Sequence, residues 1–462
     1  MGESAHPGIR LAGRLIDREE IAALAVHQDV DQPDRCQVML RNLGAPLRAT
    51  TVLAGDELVV ELGFEGAPQA TVFTGEVVGL QTTYDTSGRS TVTLHGFSRL
   101  HRLTRGRKSR TFENLTDQEI AAKIAEDAHL TASVDGDSQI RYPHVHQHNQ
   151  TDLEFLRDRA SRIGYELGLR DGKTLVFQRR DLASDSGLTL ALGRRQAGLE
   201  LQRFAPKLSL AQRISEVHVR GWDPVKRQEI VGKARSLRKT LATESGLDAG
   251  KDVFGHTIQY ETDDKVTAQD QADARARALL ERAALQTITG LAVATGNPAL
   301  KPSLVVTIDL GADTRFSGQY YLAGAVHRWS ASAGYLTELR VQRNGLGAAR
   351  PAPRPGAGAV APEERAATRA AARIALEARQ PASALAEAAP RPPARSSFLE
   401  IELVGEDGSP IPGERYRVDV DGGPSHQGVT DDQGKARIEP LDAGKRCTVS
   451  FPALDADAWE SA

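Results

Sequence analysis

Cysteine is scarce in this chain. Its 462 residues include two, Cys36 and Cys447, near opposite ends. That excludes a disulfide framework and any closely spaced zinc motif. It suits a reducing compartment, or an oxidising one in which nothing depends on disulfides. Long apolar runs are also missing: none reaches 18 residues, so no membrane-spanning helix is expected. The start, Met1-Gly-Glu-Ser-Ala-His6, has no basic stretch followed by an apolar one, so no secretory leader is expected. His6 stands where N-myristoylation wants Ser or Thr. Neither sign of charge dominates. Lys plus Arg is 58 and Asp plus Glu is 61, a net of −3, whereas a general nucleic-acid binder is basic. Catalytic signatures are absent as well. There is no Gly-x-Ser-x-Gly elbow, no phosphate loop and no dinucleotide fingerprint at a strand-to-helix turn. Asp263-Asp264 and Asp431-Asp432 are adjacent carboxylates that read as turn residues. No catalytic, cofactor-binding or metal-binding residue is assigned, and no cofactor is expected.

What is present is modular. The length suggests about three domains, and 40% hydrophobic residues suffice for a core. Residues 1–345 carry 44 basic and 43 acidic side chains, 346–397 carry 8 and 4, and 398–462 carry 6 and 14. The 346–397 stretch is rich in Ala, Pro and Arg. Proline every few residues blocks both helix and ladder, so its ends read as semi-stiff linker. Within it, Pro362, Glu363 and Glu364 open a stretch to about Ala388 that suits a marginal, Ala-faced helix or no order.

Beyond the linker the pattern has a period of two. Leu399, Ile401 and Leu403 alternate with Glu400 and Glu402. Tyr416, Val418 and Val420 follow suit, as do Cys447, Val449 and Phe451. Turn signals separate these runs, and the segment reads as a small β-sandwich with Cys447 as a core filler. Residues 1–345 lean to β too, with strand-like runs at 57–62, 71–80, 91–94, 174–178, 214–219, 304–310, 319–326 and 338–341. Three helices carry start signals. Thr116 and Glu119 form a capping box, as do Thr151 and Glu154, and Gly164 stops the second helix. A third helix is predicted from near Thr267 through 284, with Leu279, Leu280 and Leu285 as its apolar edge.

Two clusters invite chemistry. His144, His146 and His148 share one face of a strand and could converge on a metal. They also suit a solvent-facing strand end, and no Asp, Glu or Cys stands nearby with ligand spacing. The basic run at 102–110 (Arg102, Arg105, Arg107, Lys108, Arg110) lacks the interleaved aromatics of a nucleic-acid surface. It reads as a solvated loop or a protein contact.

At 94–180 the chain resembles a known family. Leu94-His-Gly-Phe-Ser-Arg-Leu-His-Arg-Leu103, Arg110-Thr-Phe-Glu-Asn-Leu-Thr-Asp-Gln-Glu-Ile120 and Asn149-Gln-Thr-Asp-Leu-Glu-Phe-Leu156 resemble the phage late control D family and the N-terminal half of VgrG proteins. The resemblance implies a tail hub. In such a homotrimer each chain contributes two tube-type β-barrel domains, and three chains adapt a hexameric tail tube to a trimeric spike. No internal repeat between the two halves is visible in the sequence. VgrG proteins continue into a β-helical needle, and this chain departs from them there, so a separate spike protein is expected. Phe398-Leu-Glu-Ile-Glu-Leu403 and Gly428-Val-Thr-Asp-Asp-Gln-Gly434 resemble a transthyretin-like (carboxypeptidase-regulatory-like) extension, which implies attachment of spike, tip or effector.

The expected fold is therefore mainly β with an α+β insertion. A first hub β-barrel domain takes 1–105 and an α/β insertion 106–184. A second hub β-barrel domain takes 185–345, a linker 346–397 and a sandwich 398–462. The expected function is that of a non-enzymatic baseplate hub of a contractile injection apparatus, assembled in the bacterial cytoplasm. Its expected partners are its own copies, tail tube, spike, other baseplate proteins and, through 398–462, a tip or effector protein. Neither nucleic acid nor membrane is expected to bind. The alternatives are a tail-tip cell-wall hydrolase and a glycan-binding adhesin.

Overall fold

The computed structural model describes residues 5–42, 53–64, 69–84, 86, 90–136, 138–196, 199–210, 214–348, 397–402, 411–420, 425–433, 435–441 and 447–450. The chain is mainly β and divides into two compact units, Met1–Arg379 and Gln380–Ala462. The stretch 349–396, including the expected helix after Pro362, lies outside the described residues. The linker was expected to begin at 346, but Gly345–Ala348 is a strand paired antiparallel with Ala242–Ser245.

The first unit is built on one curled 13-stranded sheet. Alternation places one side of each strand in a core. Ile9, Val26, Val38, Leu40, Leu58, Val60 and Leu94 pack together in the N-terminal half. Leu190, Leu201, Ala292, Ala294, Ile308, Leu322 and Leu339 do so in the C-terminal half. Two α/β layers are set into this sheet.

The first layer carries helices α1 (Asp117–Asp127) and α2 (Asp152–Ile163). Both capping boxes form. Glu119 N donates to Thr116 Oγ1 at 3.2 Å and Glu154 N to Thr151 Oγ1 at 3.2 Å, while the glutamates return the bond to the cap residues. Gly164 ends α2 at φ 72°, the left-handed backbone that favours glycine. Ile120, Ile124, Leu153, Phe155 and Leu156 dock the helices against strands Tyr165–Arg170 and Thr174–Arg179.

The second layer is legible only in part: the strand run at 214–219 and the helix from near Thr267 are found, while Gln228–Ala234, Ile258–Thr262 and the helix before it carry no such signal. A mixed sheet of Gln228–Ala234, Glu216–Asp223 and Ile258–Thr262 lies under a long helix. Helix α3 (Gly246–Phe254) precedes the last of these strands, and α4 (Gln269–Leu285) covers the sheet. The expected Leu edge of α4 faces inward, with Leu280 and Leu285 buried and Leu279 partly buried, and Ala272, Ala276 and Ala284 share the packing. Small residues let the helix approach closely, and Gly232 meets it without a side chain.

In the second unit, Arg415–Val420 pairs with Ser425–Val429 and Cys447–Ser450, while Ser397–Glu402 pairs with Lys435–Leu441. Tyr416 and Val418 are buried as the alternation predicts. The side chains of Leu399, Ile401, Leu403, Val420, Cys447, Val449 and Phe451 lie outside the described residues. Asp431 Oδ1 accepts from Gln433 N at 2.9 Å and Lys435 N at 2.8 Å, which makes Asp431 the turn residue expected.

Candidate assembly site

A repeat organises the first unit. In the N-terminal half the strands neighbour one another in the order Ile21–Asp29, Arg35–Asn42, Ser90–Phe97, Ala70–Tyr84, Glu57–Phe64, Ala5–Leu11. In the C-terminal half the order is Leu201–Leu208, Ile288–Thr295, Gly334–Arg343, Gly318–Ser330, Val305–Asp309, Asp185–Ala191. Matched in chain order, the strands pair in the same way. Two bulges match as well. Ile21/Ala23 slip against Leu40/Met39 as Leu201/Arg203 slip against Ala294/Val293. Val77/Gly79 slip against Gly96/His95 as Leu322/Gly324 slip against Val341/Arg340. Bulges bend a strand at a fixed place, so the two halves curl alike. They differ in the last strand: Asp185–Ala191 runs parallel to its neighbour and Ala5–Leu11 antiparallel.

Among the described residues the halves join through one strand pair. Residues 23–29 lie antiparallel to 324–330, with Leu24 opposite Trp329 and Ala25 opposite Arg328. Arg340 binds Asp29 at 2.6 Å, and Trp329 Nε1 donates to Ala5 O at 3.1 Å. The insertion is pinned to both halves. Asp31 N donates to Leu167 O at 3.0 Å and Asp31 Oδ1 accepts from Leu167 N at 2.8 Å. Buried Glu166 accepts from Arg180 Nε at 2.5 Å, from Tyr321 Oη at 2.5 Å and from Ser303 Oγ at 3.1 Å.

A cavity of about 290 Å³ at this three-way junction is lined in part by Gln28, Asp34, Thr74, Ser98, Glu166 and Lys301. Burial pushes the Asp34 carboxyl up to about 7, with Asp29 adding to it and Gln28 and Lys301 opposing. Burial likewise raises Asp31 to about 6. A carboxyl near 7 in the folded chain and about 3.9 in the unfolded one binds its proton more tightly when folded. Stability from this group therefore rises as pH falls from 8 through 7 and levels off below about 4. Asp34→Asn should raise stability at pH 8 by on the order of 2 kcal/mol, with the gain fading by pH 4–5. Thermal melts at the two pH values check this, and an Asn variant no more stable than the parent at pH 8 would contradict it.

The residues singled out earlier sit elsewhere. His144, His146 and His148 project from Arg141–Gln150 into solvent. His146 lies 3.2 Å from Thr111 Oγ1, and His144 lies 4.0 Å from Glu113. Among the described residues no group of three or more His, Cys, Asp or Glu is placed to hold a metal ion. The basic run is not a free loop. It spans a 3-10 turn, Arg99–Thr104, and the strand Lys108–Thr116. Most of its charges are paired within the chain: Arg102 with Glu76, Arg107 with Glu154, Lys108 with Asp152, and Arg110 with Asp127 and Asp152. Asp263 does more than turn the chain, because its carboxylate binds buried Arg162 at 2.9 Å. Cys36 is buried, and burial pushes its thiol far up, so it is a core residue.

A family model described as the Alg8 N-terminal domain matches residues 41–331. The chain belongs to the Alg8 N-terminal domain family. No curated protein matches it. Solved structures share the Alg8-family chain's fold at low identity. The 43 kDa tail protein of prophage MuSo2 from Shewanella oneidensis is 16% identical. The match covers 74% of this chain and 98% of that one, with a TM-score of 0.57. A tail protein from Neisseria meningitidis MC58 is 16% identical with the same coverages and a TM-score of 0.55. A component of the E. coli type VI secretion system, itself similar to T4 bacteriophage tail proteins, is 14% identical. That match covers 75% of this chain and 80% of that one, with a TM-score of 0.50. The Alg8-family chain thus has the fold of tail proteins. No helix among its described residues is long and apolar enough to cross a membrane.

Proposed function

We propose that this chain is a structural hub of a phage-tail-like contractile injection apparatus. In this reading three copies form a ring between a hexameric tail tube and a trimeric spike. The observation that carries it is the repeated strand order with its two matched bulges. A chain holding two like units gives six like units in a trimer, and the number of chains stays three. The work is symmetry matching, and no bond is made or broken. The fold shared with tail proteins and with a type VI secretion component supports the same reading.

The division of labour follows the sequence. Residues 1–105 and 185–345 are the two tube-facing domains, and 106–184 is the insertion between them. The linker, which begins after the strand Gly345–Ala348, tethers a transthyretin-like sandwich, 398–462, for a spike, tip or effector protein. A tether raises the local concentration of that module without adding contacts. The particle assembles in the bacterial cytoplasm. The test is binding. The purified chain, mixed with tube protein and spike from the same particle, should cap tube ends on one side and hold the spike on the other in electron micrographs. A chain that binds neither contradicts the reading.

A further inference from the structure

The repeat leaves one pairing unmade. In the C-terminal half, the strand Gly318–Ser330 offers a single edge to two neighbours. Its first part, 318–321, pairs with Val305–Asp309. Beyond the Gly324 bulge, 324–330 receives residues 23–29. In the N-terminal half, Ala70–Tyr84 is built alike. Its first part pairs with Glu57–Phe64, and the Gly79 bulge follows. Beyond that bulge, the same edge has no strand on it among the described residues. The donor is also duplicated. Leu201–Leu208 matches Ile21–Asp29 down to the bulge, but beyond the isolated Leu192–Leu201 bridge it pairs, among the described residues, only with Ile288–Thr295.

The geometry points to closure between copies by strand addition: Leu201–Leu208 of one copy lies antiparallel on residues 80–84 of the next. The within-chain junction fixes the register. Trp329 opposite Leu24 becomes Tyr84 opposite Phe204, and Arg328 opposite Ala25 becomes Thr83 opposite Ala205. Ala325 opposite Gln28 becomes Leu80 opposite Leu208. This inference rests on the ring reading above and adds the surface that makes the ring.

Exposure agrees with it. Leu80 is 40% and Tyr84 78% exposed, while their counterparts under the within-chain strand, Ala325 and Trp329, are 1% and 6% exposed. Two large apolar side chains in the open, on an edge whose twin is covered, are what an absent neighbour leaves behind. An aromatic pair such as Tyr84 with Phe204 is a favoured cross-strand contact. The occupant is a second copy because the donor strand is in the chain itself, at the opposite end of the sheet. Such a contact is head-to-tail, so it must close into a ring or run on. Pro206 stands in the donor, an edge strand in the single chain and an inner one in the closed ring, so the junction forms without an N–H at that position. The proline removes one donor from that strand and weakens indiscriminate pairing of a lone chain. The Arg340–Asp29 ion pair has no counterpart at the closing junction, since His95 and Ser209 take the matching places.

Cross-linking of the full-length chain tests the register. Cys447→Ser removes the second thiol, and buried Cys36 stays as it is. Thr83→Cys with Ala205→Cys should then give covalent trimers on mild oxidation, while Thr83→Cys with Arg203→Cys, slipped by two residues, should not. In parallel, Tyr84→Asp should lower the assembled mass to that of one chain, and Tyr84→Phe should leave it unchanged. A trimer that forms without the 83–205 bond, or survives Tyr84→Asp, overturns this junction and leaves the ring reading standing. A parent chain that never associates overturns both.

Discussion

Replacing Asp117 with alanine is expected to cost the chain about 3–5 kcal/mol of stability. Asp117 sits in the first turn of α1 with its side chain fully buried, 2.5 Å from Arg159 Nε, and Arg159 is itself buried. Tyr142 Oη donates to the same carboxylate at 3.1 Å, and the Arg159 guanidinium lies 4.2 Å from the Tyr142 ring centroid. Alanine would leave a buried cation and a buried hydroxyl without their acceptor. That desolvation penalty, more than the lost attraction, sets the size of the effect. The helix N-terminus adds a smaller loss, since an acidic group there is worth about 0.5 kcal/mol. Urea denaturation followed by circular dichroism measures the change. A triple variant, Asp117→Leu with Arg159→Met and Tyr142→Phe, should recover most of the loss, because no polar group is then stranded. A cost below about 1 kcal/mol for Asp117→Ala alone would contradict the network's role.

Gly232→Val should be the most damaging change in the second α/β layer. A Cβ at position 232 would stand 2.2 Å from the carbonyl carbon of Ala272 and 2.6 Å from Asp273 N. Both are backbone atoms of α4, so no side chain can swing aside. The helix must lift, uncovering Val217, Val219 and Ile230. A shift of that kind costs on the order of 3 kcal/mol. Hydrogen exchange should show it as lost protection over 216–234 and 269–285, with the first layer unchanged. Unaltered protection there would mean that the close approach does not matter.

How much of this was legible differs from element to element. α1 and α2 could be read because Thr116/Glu119 and Thr151/Glu154 are local signals that need no tertiary context. The long strands could be read from alternation. The second layer could be read only at Glu216–Asp223 and at the position of α4. Gln228–Ala234 and Ile258–Thr262 mix polar and apolar residues without a clean period, and α4 packs through alanines that carry little hydrophobic signal. The repeat was invisible for a related reason. Of the matched strand positions, only Ala25/Ala205, Gly79/Gly324 and Leu94/Leu339 share a residue. Elsewhere the halves share burial alone, as in Leu58 and Val60 against Val306 and Ile308. A core asks for apolar volume at the right side of a strand, and many sequences supply it. The basic run was misread because its partners Glu76, Asp127, Asp152 and Glu154 are distant in sequence or lie in elements that fold back onto it.

The candidate site shows the same limit more sharply. Tyr84 and Phe204 are unremarkable in sequence, and only the matched pairing of the two halves gives them a common role. The account stands on three chains closing into one ring. Native mass spectrometry of the full-length chain tests that most directly. A particle of three times 49.8 kDa is the predicted result. A chain that stays at the mass of one copy at all concentrations, or that settles as a dimer, would contradict it.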